Sequence, residues 1–186
     1  MEDSQIIELY WRRSEDAITE TSKKYGRYCR TISFNILGNA EDSEECVNDT
    51  YMKAWSLLPP ARPMVFSAFL AKITRNLSLD RYRSRSAEKR GGGQMELALD
   101  ELSACIPAPD NADSMVERQA LTDALNDFLS SLKPEPRRIF LQRYWYVSSI
   151  RDIASDLGIS ESKVKTSLFR TRTALKEHLE REGIAF

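Results

Sequence analysis

The sequence predicts an all-α protein: two small helical domains joined by a flexible acidic linker, the C-terminal one a helix-turn-helix. Three observations predict it. Apolar residues recur every three or four positions along nearly every stretch, and strict alternation over strand length is absent. Helix-ending and helix-capping residues fall between these stretches, at Gly38–Asn39, in "LPPARP" and at Gly158–Ser160. Charge is segregated along the chain, which divides it into blocks.

The elements follow in order. Ser4 to about Ile36 carries Ile6, Ile7, Tyr10, Ala17, Ile18, Tyr25, Tyr28 and Ile32, as two helices or one kinked helix. Gly38 suits a helix end, and Asn39 suits an N-cap with acids in the turn that follows. The next helix places Val47, Tyr51, Ala54, Trp55 and Leu58 on one face until proline stops it. A fourth runs from about Phe66 to Arg85, with Phe66, Phe69, Leu70, Ile73 and Leu77 on one side. "GGG" at Gly91–Gly93 opens a weakly periodic acidic stretch containing Pro107 and Pro109, read as a tether. The helical period resumes near Met115 with Leu121, Leu125, Phe128 and Leu132. "KPEP" reads as a turn, and Arg137–Tyr146 as a helix bearing Ile139, Phe140 and Tyr144. The expected domains are therefore 1–90 and 114–186, with 91–113 as the linker.

At 186 residues, 41% hydrophobic and 30% charged, the chain can bury one ordinary core or two small ones. It has no run of roughly 18 apolar residues. It opens on the polar Met-Glu-Asp-Ser rather than a basic-then-apolar leader, so a cytoplasmic protein is expected. Cys29, Cys46 and Cys105 show no paired spacing and are expected to be reduced, mostly buried thiols. With His178 the only histidine, neither a metal site nor a histidine-based acid–base centre is expected.

The net charge of −1 hides a pattern. Residues 69–90 hold 7 basic and 2 acidic side chains, 91–127 hold 1 and 8, and 137–186 hold 10 and 6. Two basic blocks flank an acidic one, as two nucleic-acid contacts joined by a segment that avoids nucleic acid would require.

The last block contains "DIASDLGISESKVKTSLFR". Ser149 can cap a helix carrying Ile150, Ile153, Ala154 and Leu157. Gly158 supplies the turn, Ile159 packs into the corner, and Ser160 caps the next helix. That helix buries Val164, Leu168, Thr171 and Leu175. Its other side offers Ser162, Lys163, Lys165, Thr166, Ser167 and Arg170, polar and basic groups that reach base edges and phosphates in a major groove. Arg172 and Lys176 follow as phosphate contacts. A plain helical hairpin with a solvated basic face is the simpler alternative.

The first basic block, "FLAKITRNLSLDRYRSR", shows Lys72, Arg75, Asn76, Asp80, Arg81, Arg83 and Arg85, with Tyr82 interleaved and Phe66 and Phe69 before it. Such a surface can follow a backbone and stack unpaired bases. The preceding loop with Arg62 is placed to form a pocket for an extruded base. The acidic helix shows Glu41, Asp42, Glu45, Asn48, Asp49, Met52 and Ser56 opposite its core face; an exposed Met among acids fits a protein partner.

These three pieces, in this order, resemble an extracytoplasmic-function sigma factor, the promoter-recognition subunit of bacterial RNA polymerase, over about Tyr10–Leu179. "NAEDSEECVNDTYMKAW" resembles the region that grips the polymerase clamp helices, which implies Glu41, Asp42, Glu45, Asn48, Asp49 and Met52 as polymerase contacts. "FSAFLAKITRNLSLDRYRSR" resembles the segment that melts and reads the minus-ten element. "LKPEPRRIFLQRYWYVSSIRDIASDLGISESKVKTSLFRTRTALKEHL" resembles the region that reads the minus-thirty-five element as duplex. Asn48 stands where glutamine is common and Phe69 where tryptophan is common. Lys163 and Ser167 replace threonine and arginine on the reading helix, which implies a different base preference. The resemblance further implies core polymerase and promoter DNA, duplex and melted, as partners, an acidic linker threading toward the RNA exit path, and a possible anti-sigma factor. It implies no cofactor, no small-molecule substrate and no catalysis. Melting would be driven by binding energy, as no phosphate-binding glycine loop is present. A stand-alone two-domain helix-turn-helix regulator is the rival reading. A DNA-processing enzyme would need strands and a placed nucleophile, and the N-terminal half offers neither.

Overall fold

The computed structural model describes residues 1–86, 94–103, 105–106 and 115–184. These form nine helices and no strand: α1 Asp3–Trp11, α2 Asp16–Leu37, α3 Ala40–Leu57, α4 Phe66–Ser86, α5 Gln94–Ser103, α6 Met115–Ser131, α7 Pro134–Tyr144, α8 Ile150–Leu157 and α9 Glu161–Arg181. The chain divides into two units, Met1–Gly93 and Gln94–Phe186.

In the first unit the N-terminal pattern resolves into two helices. The break passes through Arg13, which sits in the left-handed region at φ 55. α2 ends where Gly38 takes φ 63, and the Asn39 side chain accepts a hydrogen bond from the Asp42 backbone N–H at 3.1 Å to start α3. Ile6, Tyr10, Ala17, Cys29, Val47, Tyr51, Ala54, Leu58, Phe66 and Leu70 make the core, each large apolar side chain contributing about 1.5–3 kcal/mol by burial. Phe66 is completely buried and packs edge-on against Tyr10 and Tyr25, so it is a core residue and not a stacking platform for bases. Small hydroxyls let α2, α3 and α4 approach closely. Ser78 Oγ donates to Ser33 Oγ or to the Thr74 carbonyl, and Thr50 Oγ1 donates to Thr74 Oγ1 or to the Cys46 carbonyl. Every one of these buried hydroxyls has a partner, which removes the cost of burying it.

The second unit begins earlier than the sequence implies. Gln94–Ser103, expected in the flexible tether, is α5, and it buries Met95 and Ala98. Its core face also carries Glu101, a charge that hides the helical stripe from a hydrophobicity reading; what it meets is described below. Gly91–Gly93, Pro107 and Pro109 lie outside the described residues. α7 starts at Pro134, inside the expected turn, because proline suits the first position of a helix. Arg137 closes the preceding turn by donating to the carbonyls of Ser130 and Leu132. Ile139, Phe140, Val147, Ile153, Val164, Leu168, Leu175 and Leu179 fill the core.

Candidate nucleic-acid and protein interfaces

The helix-turn-helix is built by local chemistry. Ser149 and Ser160 each cap a helix, accepting from the backbone N–H of Asp152 at 3.1 Å and of Lys163 at 3.2 Å. Gly158 turns the chain at φ 63, a conformation costly to any residue with a Cβ. α9 then buries Val164, Leu168, Thr171 and Leu175 and leaves Ser162, Lys163, Thr166 and Arg170 exposed, with Ser167 half-buried beside them. Glu135 and Pro136 of α7 border this face, and Lys163 Nζ reaches Glu135 at 2.8 Å. Both partners are half exposed, so the pair is weak and a phosphate can displace it.

Two of the expected α9 contacts lie elsewhere. Lys165 is exposed but shares its side of the helix with Phe169, one turn on. Arg172 turns inward: its Nη1 donates to Tyr144 Oη at 2.7 Å and reaches Glu101 Oε2 at 3.4 Å. It follows Leu168 by four residues, and so lies beside the buried stripe. Its guanidinium is thus engaged within the fold, whereas the cations Lys163 and Arg170 are exposed. Phe169, missed in the sequence, is 64% exposed next to Arg170. Its signal was present, since it falls off the spacing of Val164, Leu168, Thr171 and Leu175. Its apolar face is suited to a thymine methyl.

On α4, Lys72, Asn76, Asp80 and Arg83 are exposed at spacings of four, four and three, which makes one stripe. Arg75 is half-buried. Burial lowers its pKa, and the like charge of Arg83 adds to that. Asp80 sits 3.6 Å from Arg83. Arg81 is engaged differently: Nη2 meets Glu45 at 2.7 Å and Nη1 donates to the Asp42 carbonyl at 3.2 Å, tying α4 to the start of α3. The hydrogen bond with Glu45 raises the Arg81 pKa and lowers that of Glu45. Arg62 lies 4.0 Å over the Trp11 ring, and Trp11 Nε1 donates to the Ala61 carbonyl, so α1 pins the loop before α4. In that loop Met64 and Val65 are exposed.

On α3, Glu41, Glu45, Asn48, Asp49 and Met52 are exposed as expected. Asp42 is not: it is 7% exposed, in the first turn of the helix below the Asn39 cap. A carboxylate there complements the helix dipole and is withdrawn from any partner.

Among the described residues no His, Cys, Asp and Glu cluster is arranged to hold a metal, and no helix is long and apolar enough to cross a membrane.

The profile of the ECF sigma factor family matches residues 41–181, about three quarters of the chain. The chain belongs to this family. It is an alternative sigma factor, a regulatory initiation subunit that directs RNA polymerase to promoters, with core polymerase and promoter DNA as its partners. ECF RNA polymerase sigma factor SigL of Mycobacterium tuberculosis is 29% identical, over 82% of each chain. RNA polymerase sigma-E factor of Streptomyces avermitilis is 30% identical, over 97% of this chain and 89% of that one. A probable RNA polymerase sigma factor of Xanthomonas campestris, RfaY, is 29% identical over 80% of this chain, which spans 36% of RfaY's own length. The match includes α3, α4 and all of α7–α9, the elements that carry every surface described above.

Proposed function

We propose that this sigma factor divides promoter recognition between its two units. The exposed face of α9, with Ser162, Lys163, Thr166, Ser167 and Arg170, reads the minus-thirty-five element as duplex. The α4 stripe of Lys72, Asn76, Asp80 and Arg83, with Arg75 and Arg62 beside it, receives the minus-ten strand as it unpairs. The exposed side of α3, with Glu41, Glu45, Asn48, Asp49 and Met52, docks on core polymerase. The protein acts in the cytoplasm, where its polymerase is, and breaks no covalent bond itself. The observation that carries this division is the presence, in each unit, of a helix face holding basic and neutral polar groups off its core stripe, hydroxyls on α9 and an amide on α4. Duplex reading suits the short polar groups of α9, and single-strand capture suits the longer cations and amide of α4.

Run-off transcription tests it. The protein is mixed with bacterial core polymerase and the fragment upstream of its own gene, and co-elution with core is followed in parallel. A discrete transcript that core alone does not make is the expected result. Tight sequence-specific binding by the isolated protein without co-elution would support a stand-alone regulator instead.

A further inference from the structure

Arg143 is a large charged residue with 2% of its surface exposed, and the interface assignments leave it without a role. Four of its five N–H donors are engaged. Nη2 donates to Glu101 Oε1 at 2.7 Å and Nε to Glu101 Oε2 at 3.2 Å, a two-pronged grip on one carboxylate. Nη1 donates to Gln94 Oε1 at 2.8 Å and to the Ser148 carbonyl at 3.0 Å. The same carboxylate accepts from Tyr144 Oη at 2.8 Å and is reached by Arg172 of α9. One acid of the supposed linker therefore meets side chains of α7 and α9. Through Arg143 it also holds the backbone next to Ser149, the cap of α8.

From this we infer that Glu101 is a positioning residue of the DNA reader: α5 is a strap that sets how α8 and α9 stand on α7. A plain surface helix would not need a buried arginine to receive it. The bonds fall where placement matters, at the entry to α8 and on the side of α9 away from its exposed reading face. A buried ion pair is also specific in a way a greasy contact is not, since its four hydrogen bonds must be aligned at once. The part concerning promoters rests on the proposed duplex-reading role of α9; the docking of α5 does not.

The test uses the full chain as wild type, Glu101→Gln, and the double variant Glu101→Gln with Arg143→Met. The first readout is the reaction rate of Cys105, a buried thiol in the turn after α5, with a disulfide reagent. Glu101→Gln is expected to raise that rate about tenfold, and an unchanged rate overturns the strap. The second is run-off transcription with core polymerase. Glu101→Gln is expected to cut the transcript several-fold while co-elution with core stays at the wild-type level. The double variant removes the uncompensated buried charge, so thermal stability should return toward wild type. Transcription should stay low, because the Ser148 carbonyl has lost Arg143 and Arg172 of α9 has lost the carboxylate. Full recovery of transcription along with stability would show a merely structural role and overturn the positioning one. If wild type itself neither co-elutes nor transcribes, the promoter reading fails, and the thiol rates still decide whether Glu101 docks α5.

Discussion

Glu101 illustrates how much one side chain can decide. Burial by itself would raise its pKa, but the hydrogen bonds from Arg143 and Tyr144 and the charges of Arg143 and Arg172 outweigh that, and the net shift is below the ordinary 4.5. A carboxyl whose folded pKa is lowered adds stability that is complete above the unfolded value and is lost as pH falls through the folded one. Acidification from about pH 5 downward should therefore weaken the second unit. Thermal melts of wild type and Glu101→Gln across that range check it. The wild-type midpoint should fall more steeply, so that the two curves converge at low pH. Parallel curves would mean that the carboxylate is not charged in the fold. Burial likewise pushes up the pKa of Tyr144, and its hydrogen bond to Glu101 adds to this, so the phenol remains a donor at any working pH.

At the scale of the element, what was legible in the sequence was what the chain decides locally. Asn39, Ser149 and Ser160 cap helices, and Gly38 and Gly158 turn them, because each acts on backbone groups within a few residues. α5 was illegible for the opposite reason. Its core face includes Glu101, and the group that makes a buried acid acceptable is Arg143, far along the chain. Arg143 itself follows Ile139 by four residues, squarely on the buried side of α7, where a charge reads as an interruption. Asp42 was misjudged because an acid in a first helical turn looks the same whether it faces a partner or closes a cap. The local part of this account has a direct check. Ser160→Ala removes the side-chain acceptor for the Lys163 N–H and should cost about 1 kcal/mol. Gly158→Ala meets no neighbouring atom within 4 Å, so its cost is conformational alone, about 1–2 kcal/mol. Urea unfolding should show both as midpoint shifts at constant slope; a changed slope would mean that the turn also shapes the unfolded chain.

Across the whole molecule, the charge segregation acquires a physical meaning. The acids of α3 that remain exposed lie on one helix, and the basic stripe of α4 lies on another in the same unit, with Glu45 and Arg81 joined where the two meet. The shared buried core of α3 and α4, which that pairing borders, keeps the acidic and basic faces at a fixed angle within the unit. α9 packs on a different core, that of the second unit. The two tasks should then fail separately. Arg170→Ala removes an exposed cation of α9, the helix proposed to read duplex. It should lower promoter-directed transcription by roughly tenfold, the scale of one lost base or phosphate contact of 1–3 kcal/mol, and leave co-elution with core polymerase intact. Asp49→Lys reverses a charge on the exposed side of α3. It should weaken co-elution, most strongly at low salt because exposed charges are screened over about 10 Å at 0.1 M ionic strength, and it should leave the duplex affinity of the second unit unchanged. Measuring duplex affinity, whose loss is what lowers transcription in Arg170→Ala, and core co-elution for both variants gives four outcomes. A loss of core binding in Arg170→Ala would place α9 in the polymerase interface. Normal core affinity in Asp49→Lys would remove the acidic side of α3 from it. Only the crossed pattern, each variant defective in one quantity and sound in the other, is compatible with two faces on two independently packed cores.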